Sequence, residues 1–364
     1  MTGGLQLRGL PRGRVTALAL RLLMLAACVL LVGWSVHSIG PRRVLGVALE
    51  ADPAWLALSL AAIGARYLIW AAKWWRMMRR AGEIGFGTTL RAVLSGTFVN
   101  LVTPSANLAG GVLRAVIVQR RTGWRMALAY GWSLADQVTN FLGSLALGGL
   151  LAVAIALGMP TPAGRRAVLL SGAAAVLLTV LFLLFRGRLS KGILRPGVAR
   201  AVARLMPARF RQAGPDGASA EWLEPMTTPL LRTGSAWGDA AGDIALAATS
   251  RFALCMANAL VFRALGVSTP LFEVAAVLLL ASFVGTMTGA VGGIGATEVA
   301  LIGLYARLGI PAEAAAAATL LHRGTFYGLS FLGGSVAMVA GSRRRHYDAV
   351  TFRREPPPAP TLPG

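Results

Sequence analysis

The chain is short of the residue types that soluble enzymes use for chemistry. Its 364 residues hold only 14 acids against 36 basic residues, so paired carboxylates for general acid–base work are scarce. The two cysteines, Cys28 and Cys255, lie inside apolar runs without a Cys-x-x-Cys spacing, which excludes a disulfide framework and a zinc site. His37, His322 and His346 are scattered, so no metal cluster is expected. No Gly-x-Ser-x-Gly, His-Glu-x-x-His or phosphate-binding-loop motif occurs. An enzyme, a bound cofactor and ATP-driven transport by this chain alone are therefore not expected. Charged residues are 14% of the chain, well below the roughly 25% of soluble domains, which excludes that class.

What is present is apolar length. Hydrophobic residues make up 55% and the mean hydropathy is +0.64. The net charge of +22 would point to nucleic acid on a soluble domain. Here the basic residues sit between apolar runs of membrane-spanning length, so they read as a topology signal, and no nucleic-acid partner is expected. A spanning helix needs about 20 apolar residues. Six stretches qualify: Thr16 to Val36, Trp55 to Ala72, Met126 to about Leu157, Ala167 to Phe185, Ala240 to Leu265, and Ala312 to Ala340.

Two further apolar stretches are interrupted. Ala92 to Val112 carries Asn100, Thr103, Pro104, Ser105, Asn107, Gly110 and Gly111. Val274 to Tyr305 carries Thr286, Thr288, Gly289, Gly292, Gly293, Gly295 and Glu298. Proline and glycine break helices, and freed backbone groups at membrane depth need protein or water around them. Both segments read as broken or re-entrant hairpins. With both entering and leaving on one side, six full spans remain and both termini are cytoplasmic. The basic block from Lys73 to Arg91, the Arg114 to Arg125 set, the loop from Arg186 to Arg232 and the tail arginines then share the cytoplasmic side. Arg42, Arg43, Arg165, Arg166, Arg263 and Arg307 lie outside.

The two halves also align. Arg66-Tyr67, Gly82, Gly110-Gly111, Gly123 and then Asp136, Thr139 and Gly143 match Arg251-Phe252, Gly266, Gly292-Gly293, Gly309 and then His322, Thr325 and Gly328. Each half is two spans, one hairpin and one span, and the assigned topology makes this an inverted repeat, the arrangement in which half-helices form a transport site. The expected fold is an all-α polytopic membrane protein: about six full spans plus two re-entrant hairpins in an inverted repeat. Residues 1–15 form a basic cytoplasmic N-terminus and 16–341 the membrane domain, with halves 16–158 and 166–341 and a basic cytoplasmic loop at 186–238. Residues 342–364 form a basic, Pro-rich, disordered tail.

Candidate site residues follow from charge inside apolar segments. Arg66, Arg251, Arg323, Asp136 and Glu298 must face partners or a wet cavity, because a charge at the bilayer centre costs about 2.5–3.5 kcal/mol on insertion scales. For Arg66 the alternative is snorkelling toward the nearby basic block. For Asp136 and Arg323 it is a structural ion pair, with each other or with other groups. Arg114 and Glu298 each follow a double glycine, where exposed amides and a helix start suit an anion such as phosphate. Asn100, Ser105 and Asn107 add neutral donors beside Arg114, and Gly110 and Gly111 the bare backbone. Thr288, Gly292, Gly293 and Gly295 do the same beside Glu298. The stretch Val198 to Phe210 reads either as a basic amphipathic helix on anionic lipid or as a plain basic loop.

These residues carry a resemblance. The run from Phe98 to Arg114 (Phe-Val-Asn-Leu-Val-Thr-Pro-Ser-Ala-Asn-Leu-Ala-Gly-Gly-Val-Leu-Arg) is the first motif. Gly292-Gly-Ile-Gly-Ala-Thr-Glu298, Leu308-Gly-Ile-Pro-Ala-Glu313 and Leu321-His-Arg323 form the second. Together they resemble the transmembrane, flippase-like region of lysylphosphatidylglycerol synthases, over roughly Thr16 to Gly341. The family pattern often has an acid after the first double glycine, where this chain has Val112. The resemblance implies a multi-pass protein of the bacterial inner membrane that moves lipid between leaflets. It does not imply aminoacyl transfer, which belongs to a separate cytosolic domain that the match does not include. The leading expectation is a flippase or transporter that holds an anionic phospholipid headgroup in a cavity between the two hairpins. An intramembrane lipid-modifying transferase is one alternative. A non-transporting scaffold for a lipid- or envelope-synthesis enzyme is another. Besides membrane lipid, the expected partners are a lipid-synthesis enzyme or a second copy of the chain.

Overall fold

In the computed structural model the described residues are 30, 33, 34, 36–103, 108–158, 166, 168–170, 172–181, 225–229, 237–287 and 293–348. Their regular structure is helical. The main elements are α1 (Pro41–Leu49), α2 (Pro53–Arg79), α3 (Phe86–Val102), α4 (Leu108–Thr122), α5 (Met126–Gly158), α6 (Trp237–Ala264), α7 (Leu271–Met287), α8 (Ala296–Arg307) and α9 (Ala312–Asp348). Local chemistry sets several ends. Asp52 Oδ1 accepts the amide of Ala54 at 2.8 Å, and Pro53 supplies the preset first turn of α2. Gly123, Gly266 and Gly309 follow α4, α6 and α8 with φ of +72°, +69° and +80°, the left-handed turn that ends a helix cheaply only at glycine.

A length pattern repeats along the chain. Helices α2 to α5 have 27, 17, 15 and 33 residues, and α6 to α9 have 28, 17, 12 and 37. Helices α2, α5 and most of α6 are each long and apolar enough to cross a membrane. They carry the predicted spans beginning at Trp55, Met126 and Ala240. Helix α2 continues past Ala72, so Lys73 and Arg76 belong to it and not to a loop. The first interrupted segment is helical on both sides of Thr103, as α3 and α4, and the second as α7 and α8. Helix α9 runs on to Asp348, so residues 342–348 continue it where the sequence reading begins a disordered tail. The stretch Val198 to Phe210, the tail beyond 348 and most of Thr16 to Val36 lie outside the described residues.

The chain forms two compact units. The Asp136 unit takes residues 62–99, 109–254 and 327–364. Within it, helices meet at glycine. A Cβ on Gly143 would lie 2.6 Å from that of Ala247, so α5 and α6 touch nearly backbone to backbone. Gly334 of α9 rests on Phe98 and Leu94 of α3, and Phe98 meets Phe331 edge-on at 4.9 Å. Trp74, Trp132, Met77 and Met78 are fully buried, with the Trp74 indole donating to the Trp132 carbonyl at 3.1 Å.

The Glu298 unit takes residues 1–61, 100–108 and 255–326. Helix α7 packs on α8, where bare Gly285 and Gly293 admit the Thr297 side chain. Phe262 meets Tyr305 edge-on at 4.8 Å, and Asn258 bonds the Tyr305 hydroxyl. Val44, Ile302, Ala316 and Ala317 form a small apolar core.

Beside this apolar packing, large apolar side chains face outward while charges lie inside. Leu58 and Leu68 on α2, Leu150 and Leu157 on α5, and Leu332 and Val336 on α9 are exposed, whereas Lys73, Asp136 and Arg114 are buried. Apolar sides out and charges in are what hydrocarbon surroundings demand of a helical protein. The chain is an all-α, multi-pass integral membrane protein.

Candidate functional site

On α2, the steps from Arg66 to Trp70, Lys73 and Met77 place these residues along one helical face. On α5, Ser133, Asp136, Gln137 and Asn140 share another. The two faces meet at Asp136. Lys73 is fully buried, and its ammonium donates to Asp136 Oδ1 at 2.9 Å, Thr139 Oγ1 at 2.9 Å and Asn140 Oδ1 at 2.7 Å. The Asp136 carbonyl lies at 3.2 Å as well, so four acceptors surround its three donors. The same Asp136 oxygen accepts the Trp70 indole at 3.1 Å. Its other oxygen accepts Arg114 at 2.6 Å, Trp70 at 2.9 Å and Asn140 at 3.3 Å.

Arg114 comes from α4 and is 2% exposed. Its guanidinium lies over the rings of Trp70, at 4.9 Å, and Trp74, at 5.4 Å, where the electron-rich faces attract a cation. Glycine makes the space. A Cβ at Gly96 of α3 would stand 2.7 Å from Arg114 Cγ and 2.9 Å from the Gly110 carbonyl. One at Gly111 would stand 3.2 Å from Ser133 Oγ and 3.3 Å from Gln137 Nε2. Buried polar atoms in this unit with no hydrogen-bond partner among the described residues include Arg114 Nε, Ser95 Oγ, Trp132 Nε1, Ser133 Oγ and Gln137 Nε2. Two cations and one carboxylate are in direct contact here, and their formal charges sum to one positive charge. Toward the C-terminus of α2, Arg76 and Arg80 clamp the buried Asp243 of α6 at 3.1 and 2.7 Å, and Arg80 also reaches Asp239 at 3.1 Å.

In the Glu298 unit, Gly295 precedes α8 with φ of +92°. Glu298 Oε2 turns back to accept the Gly295 amide at 2.5 Å, closing the helix start. Its Oε1 accepts Arg323 Nε of α9 at 2.6 Å, and the Arg323 guanidinium lies 5.9 Å from the Phe326 ring.

The sequence candidates therefore fall in distinct places. Arg114, Asp136, Gly110 and Gly111 are together, as are Gly293, Gly295, Glu298 and Arg323. Arg66 stacks over Tyr67 at 5.0 Å and Trp70 at 5.3 Å, with the Ser250 hydroxyl on its carbonyl. Arg251 donates to Ser144 Oγ at 3.2 Å. Asn100 sits in the last turn of α3. Ser105, Asn107, Thr288 and Gly292 lie outside the described residues. The structure gives Asp136 the partners Lys73 and Arg114, and gives Arg323 the partner Glu298. Sequence reasoning missed Lys73, which it counted with the basic block that closes a span. The available signal was its identity: it is one of two lysines among 36 basic residues. An ammonium delivers three rotatable donors to a compact set of acceptors, which a planar guanidinium does not. Among the described residues no group of three or more His, Cys, Asp or Glu could hold a metal.

The family model described as "Lysylphosphatidylglycerol synthase TM region" matches residues 17–334. The chain is 25% identical over 314 residues to a UPF0104 membrane protein of Methanothermobacter thermautotrophicus, covering 83% of this chain and 88% of the relative. It is 21% identical over 334 residues to a UPF0104 membrane protein of Pyrococcus horikoshii, covering 85% and 93%.

Proposed function

The chain belongs to the lysylphosphatidylglycerol synthase transmembrane-region family, a flippase-like family associated with lipid translocation, and from that premise we propose that it binds and translocates an anionic phospholipid headgroup, with Arg114 as the principal contact. One observation carries the reading: a buried guanidinium whose Nε has no acceptor among the described residues stands in a cluster with one surplus positive charge. Buried surplus charge calls for a counter-charge, and a headgroup oxyanion supplies both the charge and the acceptor. Glu298 is an acid and serves a different role: it holds Arg323 and closes the start of α8. Arg323 is then the cation through which the Glu298 unit would engage a headgroup. The repeated pattern of helix lengths supports the inverted repeat as the frame for this movement.

Native mass spectrometry of the purified protein tests the reading through the lipids that remain bound. Anionic phospholipid is expected to be enriched over phosphatidylcholine on the native protein, and the enrichment to vanish in Arg114→Ala that remains folded. No enrichment on the native protein would favour a scaffold without a lipid site.

A further inference from the structure

We propose that the Lys73–Asp136–Arg114 cluster selects an oxyanion carrying a single negative charge, and that Lys73 is the residue that sets this selectivity. The proposal rests on the headgroup-binding reading above and adds to it the charge class of the ligand.

The argument is one of charge and donors. Were Arg114 and Asp136 alone, at 2.6 Å, the pair would be neutral and would offer an anion no net attraction. Lys73, fully buried and 2.9 Å from the other carboxylate oxygen, adds the surplus charge. The buried Asp243 of α6 is already held by Arg76 and Arg80. A monoanion brings the cluster to neutrality. A dianion leaves it negative, and a ligand without net charge leaves it positive. In surroundings of low dielectric a residual unit charge is costly, so the neutral sum is favoured.

The unpartnered atoms agree with this. Arg114 Nε, Ser133 Oγ and Gln137 Nε2 are buried, have no partner among the described residues and can each donate, which suits an acceptor such as an oxyanion. Lys73 has its three donors engaged by Asp136, Thr139 and Asn140. It therefore acts on the ligand through Asp136 and through charge, as a specificity-setting residue that need not touch it. A phosphodiester fits this description, whether in a lipid headgroup or in a soluble diester.

The test measures retention of phosphatidylglycerol, a monoanionic diester, against phosphatidic acid at mildly alkaline pH, where its monoester is close to dianionic, and against phosphatidylcholine. Native protein, Lys73→Met and the double variant Lys73→Met with Asp136→Asn are compared in phosphatidylcholine nanodiscs. Native protein is expected to prefer phosphatidylglycerol by about tenfold. Lys73→Met, with a neutral Asp136–Arg114 pair, is expected to lose that preference. The double variant leaves Arg114 as the surplus charge and is expected to regain it. A merely structural role for Lys73 predicts no such rescue. If Lys73→Met fails to fold, the double variant against native protein decides. Competition by soluble glycerophosphoglycerol assigns recognition to the diester alone, and its failure assigns it to the lipid; both support the charge rule. Unchanged preference in Lys73→Met, or none in a folded double variant, overturns this inference while leaving headgroup binding in place. Absence of phosphatidylglycerol binding by native protein overturns both.

Discussion

Asp136 and Glu298 each meet an arginine at 2.6 Å, yet the two acids work in different surroundings. Asp136 is fully buried and faces two cations, the Trp70 indole and an asparagine, with polar atoms near Arg114 unpartnered among the described residues. Glu298 divides its oxygens between the amide that starts its own helix and the guanidinium of Arg323. The first arrangement has charge left over and the second spends its acid on local structure. Similar residues in similar sequence settings, an acid and an arginine among glycines, thus leave surplus charge in one unit, which the proposed function assigns to recognition, and close a helix start in the other. The distinction lies in which third group arrives, and in the Asp136 unit that group is Lys73.

The sharpest way to break this comparison is to neutralise each acid. Asp136→Asn leaves Lys73 and Arg114 buried without their carboxylate and is expected to cost about 3–5 kcal/mol. Glu298→Gln retains one acceptor oxygen, for Arg323 or for the Gly295 amide but not for both, and is expected to cost about 1–3 kcal/mol. Denaturation in detergent measures both, and equal losses would remove the asymmetry. Added methyl groups come next. Gly285→Ala would place a Cβ 1.9 Å from Thr297 Oγ1, and Gly96→Ala one 2.7 Å from Arg114 Cγ. Each is expected to cost about 1–3 kcal/mol, but only Gly96→Ala should also weaken anionic-lipid retention, because it displaces Arg114. Lipid mass spectrometry beside melting curves separates the two effects.

Trp70→Phe removes the indole donor to both Asp136 oxygens while keeping a ring under Arg114, at an expected cost of about 1 kcal/mol in the same melts. The smallest contrast probes the repeat. Gly123→Ala and Gly309→Ala each force a side chain into a left-handed turn, at φ of +72° and +80°, and should lose a matching amount of about 1 kcal/mol. Clearly unequal losses would mean that the two helix ends are not equivalent positions.

Much of this fold is legible in the sequence because lipid surroundings impose length. The runs beginning at Trp55, Met126 and Ala240 became α2, α5 and α6 with ends shifted by a few residues or a turn or two. The interruption near Pro104 is likewise legible, since proline and polar residues do not continue an apolar helix in lipid. Arg114 and Asp136 stand out as charges in apolar company. Their contact does not, because it depends on how α4 turns against α5, which the spacing of residues leaves open. Lys73 was hidden for a related reason. At the end of a span, a basic residue that snorkels and one that turns inward occupy the same kind of sequence position, and only the acceptors on the neighbouring helix tell them apart. Asp243 is a related case: it lies in the early turns of α6, inside the run that begins at Ala240, and only Arg76 and Arg80 closing on it set it apart.

The central claim is that Arg114, among all the arginines of this basic chain, is the one on which lipid movement depends. Leaflet exchange of labelled phosphatidylglycerol in proteoliposomes tests it directly, comparing native protein with Arg114→Ala and with Arg120→Ala, an exposed arginine on the same helix. The account predicts exchange above empty liposomes for native protein and Arg120→Ala, and loss of it in folded Arg114→Ala. Native-like exchange in Arg114→Ala would contradict it.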